Sequence, residues 1–194
     1  MKLLLALAAN AGTLDGRAQR LDDQMIPPRL NLVDGNLELL TAAVAGGGAL
    51  EALLGVSVAD DWAGFPEALP VLRASYAKNP NGHTWGSLFF VDPHVRTLVG
   101  FGGFKGPPSS DGVVEIGYAI APAFQGQGLA TDAVAQMLQR AFETTIVRAV
   151  DAHTLGRANP STRVLEKSGF RKIGEAHDPD AGVVWHWRRE RPAP

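Results

Sequence analysis

The segment Gln125-Gly126-Gln127-Gly128-Leu129-Ala130 carries the clearest chemical signal in the sequence, because its two glycines stand directly before an amphipathic helix. Glycine lets the backbone turn tightly and approach a ligand closely. The first turn of a helix presents unpaired N–H groups at the positive end of the helix dipole. Such a loop is suited to bind an anion, and a phosphate or pyrophosphate fits it best.

Two other interpretations of this segment compete with an anion site. Gly126 and Gly128 can simply shape a turn between a strand and a helix. They also fit the first two glycines of a dinucleotide fingerprint, with Asp151 at the end of the next strand. However, Thr131 stands at the third glycine position, and too few residues follow for a doubly wound sheet. A Walker P-loop is excluded because no Gly-Lys-Ser or Gly-Lys-Thr follows.

The strand predicted over Val113 to Ala121 precedes this loop and has two unequal faces, since successive side chains of a strand point to opposite sides. One face is bulky: Val114, Ile116, Tyr118 and Ile120. The other is unusually bare: Val113, Glu115, Gly117, Ala119 and Ala121. The bare face predicts room for a ligand, and Glu115 is the one acidic side chain that projects into it.

The elements that must position these residues follow a mixed α/β order. Strands are predicted at 29–33, 85–91, 97–104, 146–153, 170–173 and 183–188. The helix after Gly128 is amphipathic, and Asp132, Gln136, Gln139 and Arg140 are predicted to face solvent. A last helix begins with Asn159 as N-cap and ends at Gly169.

These elements together resemble the GNAT superfamily of acetyl-CoA-dependent N-acyltransferases. Gln125 to Ala130 matches its pyrophosphate-loop pattern Q/R-x-x-G-x-G/A, and Val114 to Pro122 looks like its central strand. Asn159 to Phe170 is similar to the last helix and strand of the branch that includes ribosomal-protein N-terminal acetyltransferases. The resemblance implies a mixed, strongly twisted sheet that splays open at the central strand, with helices on both faces.

The resemblance also implies a set of cofactor-binding residues. Acetyl-CoA would lie with its pantetheine arm along Tyr118, Ala119, Ile120 and Ala121. Its pyrophosphate would sit on backbone amides of Gln125, Gly126, Gln127, Gly128, Leu129 and Ala130. Asn159 matches an asparagine of the family that contacts the cofactor, but it serves equally as a helix N-cap, and Ser161 has the same ambiguity.

The implied reaction is acetyl transfer to a neutral amine, with the oxyanion stabilised by a backbone N–H near Ile120. Glu115 is the candidate base if its pKa is raised, and the alternative is a carboxylate paired with a neighbouring strand. Many relatives use a tyrosine as acid where this chain has Leu165, and Tyr118 is the nearest substitute. A non-catalytic acyl-CoA-binding or sensing module is therefore the alternative function.

The acceptor amine and any partner subunit are less well defined. The acceptor pocket would involve Trp62, Phe65, Pro66, Glu67 and the loop 104–111, whose aromatic residues can also simply cover the sheet. His153, His177 and His186 look like strand-end or surface residues, and their spacing predicts no metal site. The resemblance leaves a homodimer open.

Composition excludes several other classes of protein. The 194 residues carry a formal net charge of −2, so no basic face for nucleic acid is expected. The absence of cysteine excludes disulfides and thiolate chemistry and suits a cytoplasmic protein. No apolar run is long enough to span a membrane. Residues 1–11 look like a short signal peptide or an N-terminal helix, so residues 1–28 are treated as an extension and 29–190 as one domain.

Overall fold

In the computed structural model, which describes residues 28–46, 48–79, 84–179 and 181–193, the strands form one mixed sheet. The strands are β1 Asn31–Asp34, β2 Ser57–Val58, β3 Ser87–Asp92, β4 Thr97–Phe104, β5 Val113–Ile120, β6 Ala149–Leu155, β7 Arg171–Asp178 and β8 Gly182–Glu190. The helices are α1 Leu37–Ala45, α2 Ala49–Leu54, α3 Ala68–Lys78, α4 Leu129–Glu143 and α5 Pro160–Lys167, with a 3-10 turn at Pro122–Phe124.

The strand order across the sheet is β1-β3-β4-β5-β6-β8-β7, and the short β2 pairs with β4. The pairs β5–β6 and β2–β4 are parallel, whereas the others are antiparallel. The parallel pair β5–β6 is connected through α4, as a crossover between parallel strands requires. The predicted mixed α/β sheet is therefore confirmed.

Two hydrophobic cores cover opposite faces of this sheet. On one face, α1, α2 and α3 pack against side chains such as Phe89 and Phe101. On the other, α4 and α5 pack against side chains such as Phe90, Ile116 and Trp187. Strand β3 contributes to both cores, since each of its six residues is buried. The helix layers therefore pack β3, β4 and β5 between them, and the glycine loop follows the end of β5.

The polar side of α4 corrects a prediction made from periodicity. Asp132 accepts hydrogen bonds from the backbone N–H groups of Arg29 and Leu30, each at 3.1 Å. Gln136 donates to Leu30 O at 2.9 Å, and Arg140 donates to Asp34 Oδ1 at 2.6 Å. Of the four residues expected to face solvent, these three instead bind the edge strand β1. Helical periodicity shows that a face is polar but not that a strand end lies against it.

Strand bounds differ from the predicted ones mainly where tertiary pairing extends them. β6 starts later than predicted, since Ile146 is 60% exposed, and continues to Leu155 because it pairs with β8 up to Leu155↔Val184. The two-residue β2 was not predicted, because so short a pairing leaves no pattern. Among the described residues, no helix has the length and apolar character that crossing a membrane requires. The expectations for residues 1–27 lie outside the described ranges.

Candidate active site

The loop between β5 and α4 is exposed from Gln125 to Gly128. Gly126 has φ +73° and Gly128 has φ +83°, left-handed values that L side chains rarely adopt. Among the described atoms, a Cβ at Gly126 would meet nothing within 4 Å, and one at Gly128 would meet only the Arg29 guanidinium, at 3.4 Å. The glycines therefore hold a tight turn and leave open space beside it.

The N-terminus of α4 keeps its amides free. In the part of the chain that the structure describes, no side chain caps this 15-residue helix, although α1 and α5 are capped by Asn36 and Asn159, which accept N–H groups at 2.8 and 3.1 Å. The first intrahelical bond of α4 runs from Asp132 N–H to Gly128 O at 3.1 Å, so the amides of 129–131 precede it. An uncapped first turn at the positive end of a long helix, directly behind an exposed glycine loop, fits the pyrophosphate of acetyl-CoA.

Strands β5 and β6 separate beside this loop. Their parallel pairing begins at Val113↔Ala149 and ends at Ile116↔Ala152. Beyond that point β5 stays paired with β4, and β6 stays paired with β8. The sheet therefore opens into a gap between β5 and β6, which is the splay that the sequence resemblance implied.

Only alternate amides of β5 face this gap. Ala121 N–H donates to Val99 O at 2.8 Å, toward β4, and residues two apart along a strand point the same way. The N–H groups of Tyr118 and Ile120 therefore turn toward the gap, whereas that of Ala119 turns toward β4. The side chain of Gln125 donates to Ile120 O at 2.8 Å and ties the loop to the end of β5.

The bare face of β5 is less open than the sequence indicated. A Cβ added at Gly64 would lie 2.2 Å from Ala119 Cβ, so the chain at Gly64 covers this part of the strand. Trp62 stacks on Phe89 with ring centroids 5.6 Å apart and extends this cover. A Cβ at Gly117, in contrast, would meet only Lys105 Cε at 3.9 Å among the described atoms. Space for a ligand arm thus lies between the strands, and the open part of the face begins at Gly117.

Glu115 stands on this open part of the face and has two partners. Its Oε1 lies 2.5 Å from Lys105 Nζ and 2.9 Å from His153 Nδ1. Burial alone would raise the pKa of the Glu115 carboxyl, but the hydrogen bonds from Lys105 and His153 outweigh it, so the pKa is lowered. The contacts with Lys105 and His153 fit the alternative of a carboxylate paired with its neighbours, and a catalytic role of Glu115 stays a prediction.

A second polar group adjoins the first across β6 and β8. Asp151 accepts Arg188 Nε and Nη2 at 2.7 and 2.8 Å, and His186 Nε2 lies 2.7 Å from Asp151 Oδ2. Burial would raise the pKa of Asp151, but Arg188 and His186 outweigh it and lower the pKa. The rings of His153 and His186 stack with centroids 4.5 Å apart. His153 and His186, which were predicted to be strand-end or surface residues, therefore meet in one cluster.

The position of the family's acidic tyrosine and its nearest substitute, Tyr118, both lie in buried or half-buried surroundings. Leu165 is fully buried in the core and carries no hydroxyl. Burial raises the pKa of Tyr118 far above its ordinary value, and its hydroxyl donates to Ser161 O at 3.4 Å. The side chain of Asn159 is engaged in capping α5, with its amide also donating to Arg157 O at 2.9 Å. Cofactor contacts of Asn159 and Ser161 stay predictions.

Comparison with known proteins decides the family. The model of the acetyltransferase (GNAT) domain family matches residues 57–171, more than half of the chain, and this range includes β5, the glycine loop and α5. The chain belongs to the GNAT acetyltransferase family. It is accordingly an acyltransferase, and the resemblance inferred from residues 113–170 is confirmed.

Individual relatives and solved structures agree with this GNAT assignment. The chain is 28% identical over 144 residues to the uncharacterized N-acetyltransferase YjdG of Bacillus subtilis (strain 168), covering 73% of this chain and 86% of that protein. Ribosomal-protein-S5-alanine acetyltransferase from Vibrio fischeri has a TM-score of 0.61 at 17% identity, covering 84% and 93% of the two chains. Spermidine N-acetyltransferase from Vibrio cholerae, solved with CoA and spermine, has a TM-score of 0.62 at 17% identity, covering 84% and 95%. These structures share the fold.

Three side chains of this GNAT site were missed by sequence reasoning. Lys105 had been placed only within a loop, and His153 lies 38 positions from Glu115, so only strand register could bring the two together. The guanidinium of Arg29 donates to Gln127 O in the glycine loop, and no sequence motif predicts this contact. No group of three or more His, Asp and Glu side chains in the described ranges could hold a metal ion.

The residues expected at the acceptor pocket of the GNAT protein divide into two groups. Trp62 packs on the aromatic rings of β3 and β4, so it covers the sheet. Phe65 is 65% exposed, and Pro66 and Glu67 are also exposed. This second group and the largely exposed loop 105–111 are available to contact an acceptor.

Proposed function

We propose that this GNAT protein transfers the acetyl group of acetyl-CoA to a primary amine of a small molecule or of a peptide N-terminus. The observation that carries the proposal is the uncapped N-terminus of α4 behind the exposed loop Gln125–Gly128, next to the gap between β5 and β6. This combination offers an anion site and a slot for an extended arm at one place. Acetyl-CoA supplies the activated thioester as acyl-donor substrate.

Backbone N–H groups of the chain bind the different parts of acetyl-CoA. Amides of the loop and of Leu129 and Ala130 hold the pyrophosphate. The N–H groups of Tyr118 and Ile120 pair with the pantetheine arm in the gap. From Ile120 back to Ile116 the strand extends by about 13 Å, so the arm carries the thioester away from the loop toward the point where the strands separate.

The acceptor amine approaches this point from the open polar face. That face presents Lys105, Glu115, His153 and His186, and each of these side chains keeps part of its surface exposed. The carboxylates on this face are already paired with cations or imidazoles, so we expect a single amine rather than a polycation to bind. The two structural neighbours named above are a ribosomal-protein-S5-alanine acetyltransferase and a spermidine N-acetyltransferase, so a peptide that begins with alanine and a polyamine both belong in a test.

The test is release of free CoA thiol from acetyl-CoA in the presence of a panel of primary amines. The panel includes spermidine, a peptide that begins with alanine, free amino acids and simple alkylamines. We expect at least one amine to give turnover with formation of the acetamide by mass spectrometry. Tight acetyl-CoA binding without thiol release across the panel would support the acyl-CoA-binding module instead, and absence of binding would reject both functions.

A further inference from the structure

His153 lies at the point where β5 and β6 separate. The last pair between the strands is Ile116↔Ala152, so His153 is the first residue of β6 beyond it. The side chain of His153 is 28% exposed, whereas the residue as a whole is classed as exposed. Its main chain contributes to this exposure because β6 is no longer paired with β5 at this position. Glu115, one position before the last pair, shares its face and holds His153 Nδ1 at 2.9 Å. The pair therefore stands where the thioester end of the arm would arrive.

Glu115 itself is a poor base in this arrangement. Its Oε1 already binds the Lys105 ammonium and the His153 ring, and these contacts stabilise the carboxylate. A stabilised carboxylate has less tendency to take a proton from an amine. It is, however, well suited to orient an imidazole, as a carboxylate does when it accepts a ring N–H.

We infer that His153 is the general base of the acetyl transfer and that Glu115 is the residue that positions it; the inference rests on the proposed function. With Nδ1–H donating to Glu115, the lone pair of the neutral ring is on Nε2. In the part of the chain that the structure describes, no protein group hydrogen-bonds His153 Nε2. That nitrogen is free to accept a proton from a substrate on the open face.

His186 fixes the plane of the His153 ring. The two rings lie 16° from parallel, and Asp151 with Arg188 holds the far side of His186. The charged groups around His153 are thus Glu115 on β5, Lys105 after β4, Asp151 on its own strand and Arg188 on β8. Two carboxylates therefore balance two cations around the two stacked imidazole rings.

The step balances as follows. The amine nitrogen attacks the thioester carbonyl carbon, which forms the C–N bond, and a proton from that nitrogen passes to His153 Nε2. The C–S bond then breaks with its electron pair on sulfur. The proton on His153 passes to the thiolate directly or through water, giving an acetamide and the CoA thiol and restoring the neutral ring.

The kinetic test uses His153→Asn, because the amide of asparagine keeps a donor near the place of Nδ1 without offering a base. We expect kcat to fall about 100- to 10,000-fold with loss of the acidic limb of the pH–rate profile, while acetyl-CoA affinity by calorimetry is unchanged. Glu115→Gln should cost less, and the double variant should be no slower than His153→Asn, since the two residues act as one unit. His177→Asn, an exposed histidine on β7, is the matched control and should have wild-type kcat.

A second readout needs no substrate. NMR of the ring nitrogens in the ligand-free wild type should find neutral His153 as the Nδ1–H tautomer, with a shift toward Nε2–H in Glu115→Gln. An Nε2–H tautomer in the wild type, a near-normal kcat in His153→Asn, or a larger loss in Glu115→Gln than in His153→Asn would overturn the inference while acetyl transfer stands. A wild type that binds acetyl-CoA but acetylates no amine would overturn the proposed function and the inference with it.

Discussion

Asp151→Asn should destabilise the protein, because Asp151 is the one acceptor that joins Arg188 to His186. Its side chain is 10% exposed and accepts three hydrogen bonds of 2.7 to 2.8 Å. Asparagine has the same shape but turns an NH₂ group toward one of these donors. The fold would then hold an arginine without its carboxylate.

The magnitude follows from the burial of the three partners. Breaking a fully buried ion pair costs about 3–5 kcal/mol, but Arg188 and His186 keep 31% and 27% exposure, so water offsets part of the loss. We expect a loss of about 2–3 kcal/mol in the free energy of unfolding at pH 7. For a chain of this size that corresponds to a fall of about 4–12 °C in Tm.

The stabilisation that Asp151 provides should decrease as the pH falls. The pKa of Asp151 is lower in the folded protein than in the unfolded chain, where an aspartate has a pKa of about 3.9. Its stabilisation is therefore fully present above pH 4 and is lost as the pH falls through the folded-state pKa. The difference in Tm between wild type and Asp151→Asn should be largest near neutrality and should shrink under acid.

Thermal unfolding followed by circular dichroism from pH 3 to pH 7 measures this difference. The matched control is Glu175→Gln, which removes a carboxylate from an exposed pair with Lys172 at 2.7 Å and should leave Tm unchanged. Equal Tm values for wild type and Asp151→Asn at pH 7, or a difference that grows under acid, would refute the reasoning.

Three further substitutions test single contacts of the site. Tyr118→Phe should change the unfolding free energy by less than about 1 kcal/mol and leave kcat near the wild-type value, because the hydroxyl makes only a 3.4 Å bond to Ser161 O; a large fall in kcat would restore Tyr118 as an acid. Leu165→Ala should cost about 2–5 kcal/mol in urea unfolding, since the side chain is fully buried, and a neutral result would contradict its place in the core. Asn159→Ala should cost about 0.5–2 kcal/mol through loss of the α5 cap; stability should return in Asn159→Asp, and weaker acetyl-CoA binding by that folded variant would show that the asparagine amide also contacts the cofactor.

The sequence allowed the elements nearest the site to be predicted because their patterns are local. Strand Thr97–Phe104 has its predicted bounds, and Val113–Ile120 differs by one residue at its end. The glycine pair before an amphipathic helix predicted the tight turn that leads into α4, since turn geometry depends on neighbouring residues alone. The family followed from the same stretch, because the motif, the central strand and the last helix stand at the spacing that the fold requires.

The remaining features depend on contacts between residues distant in sequence. Glu115 and His153 meet only because β5 and β6 pair in one register, and a shift of one residue would send His153 to the opposite face. The cover of Ala119 by Gly64 depends on how the chain before α3 returns to the sheet. Asp132 is a charged residue on the polar face of α4, yet it accepts hydrogen bonds from Arg29 and Leu30, which directly precede β1. Periodicity carries none of this information.

Calorimetry with acetyl-CoA on the wild type, Gly128→Glu and Gly182→Glu tests the central claim most directly. Gly182, with φ +72°, sits in the β7–β8 hairpin away from α4 and has no atom of the described chain within 4 Å of an added Cβ, so its substitution matches the strain and charge of the Gly128 change. We predict micromolar binding by the wild type and by Gly182→Glu, and no measurable binding by a folded Gly128→Glu. Equal binding by Gly128→Glu and the wild type would contradict the assignment of the cofactor's pyrophosphate to the amides at the start of α4.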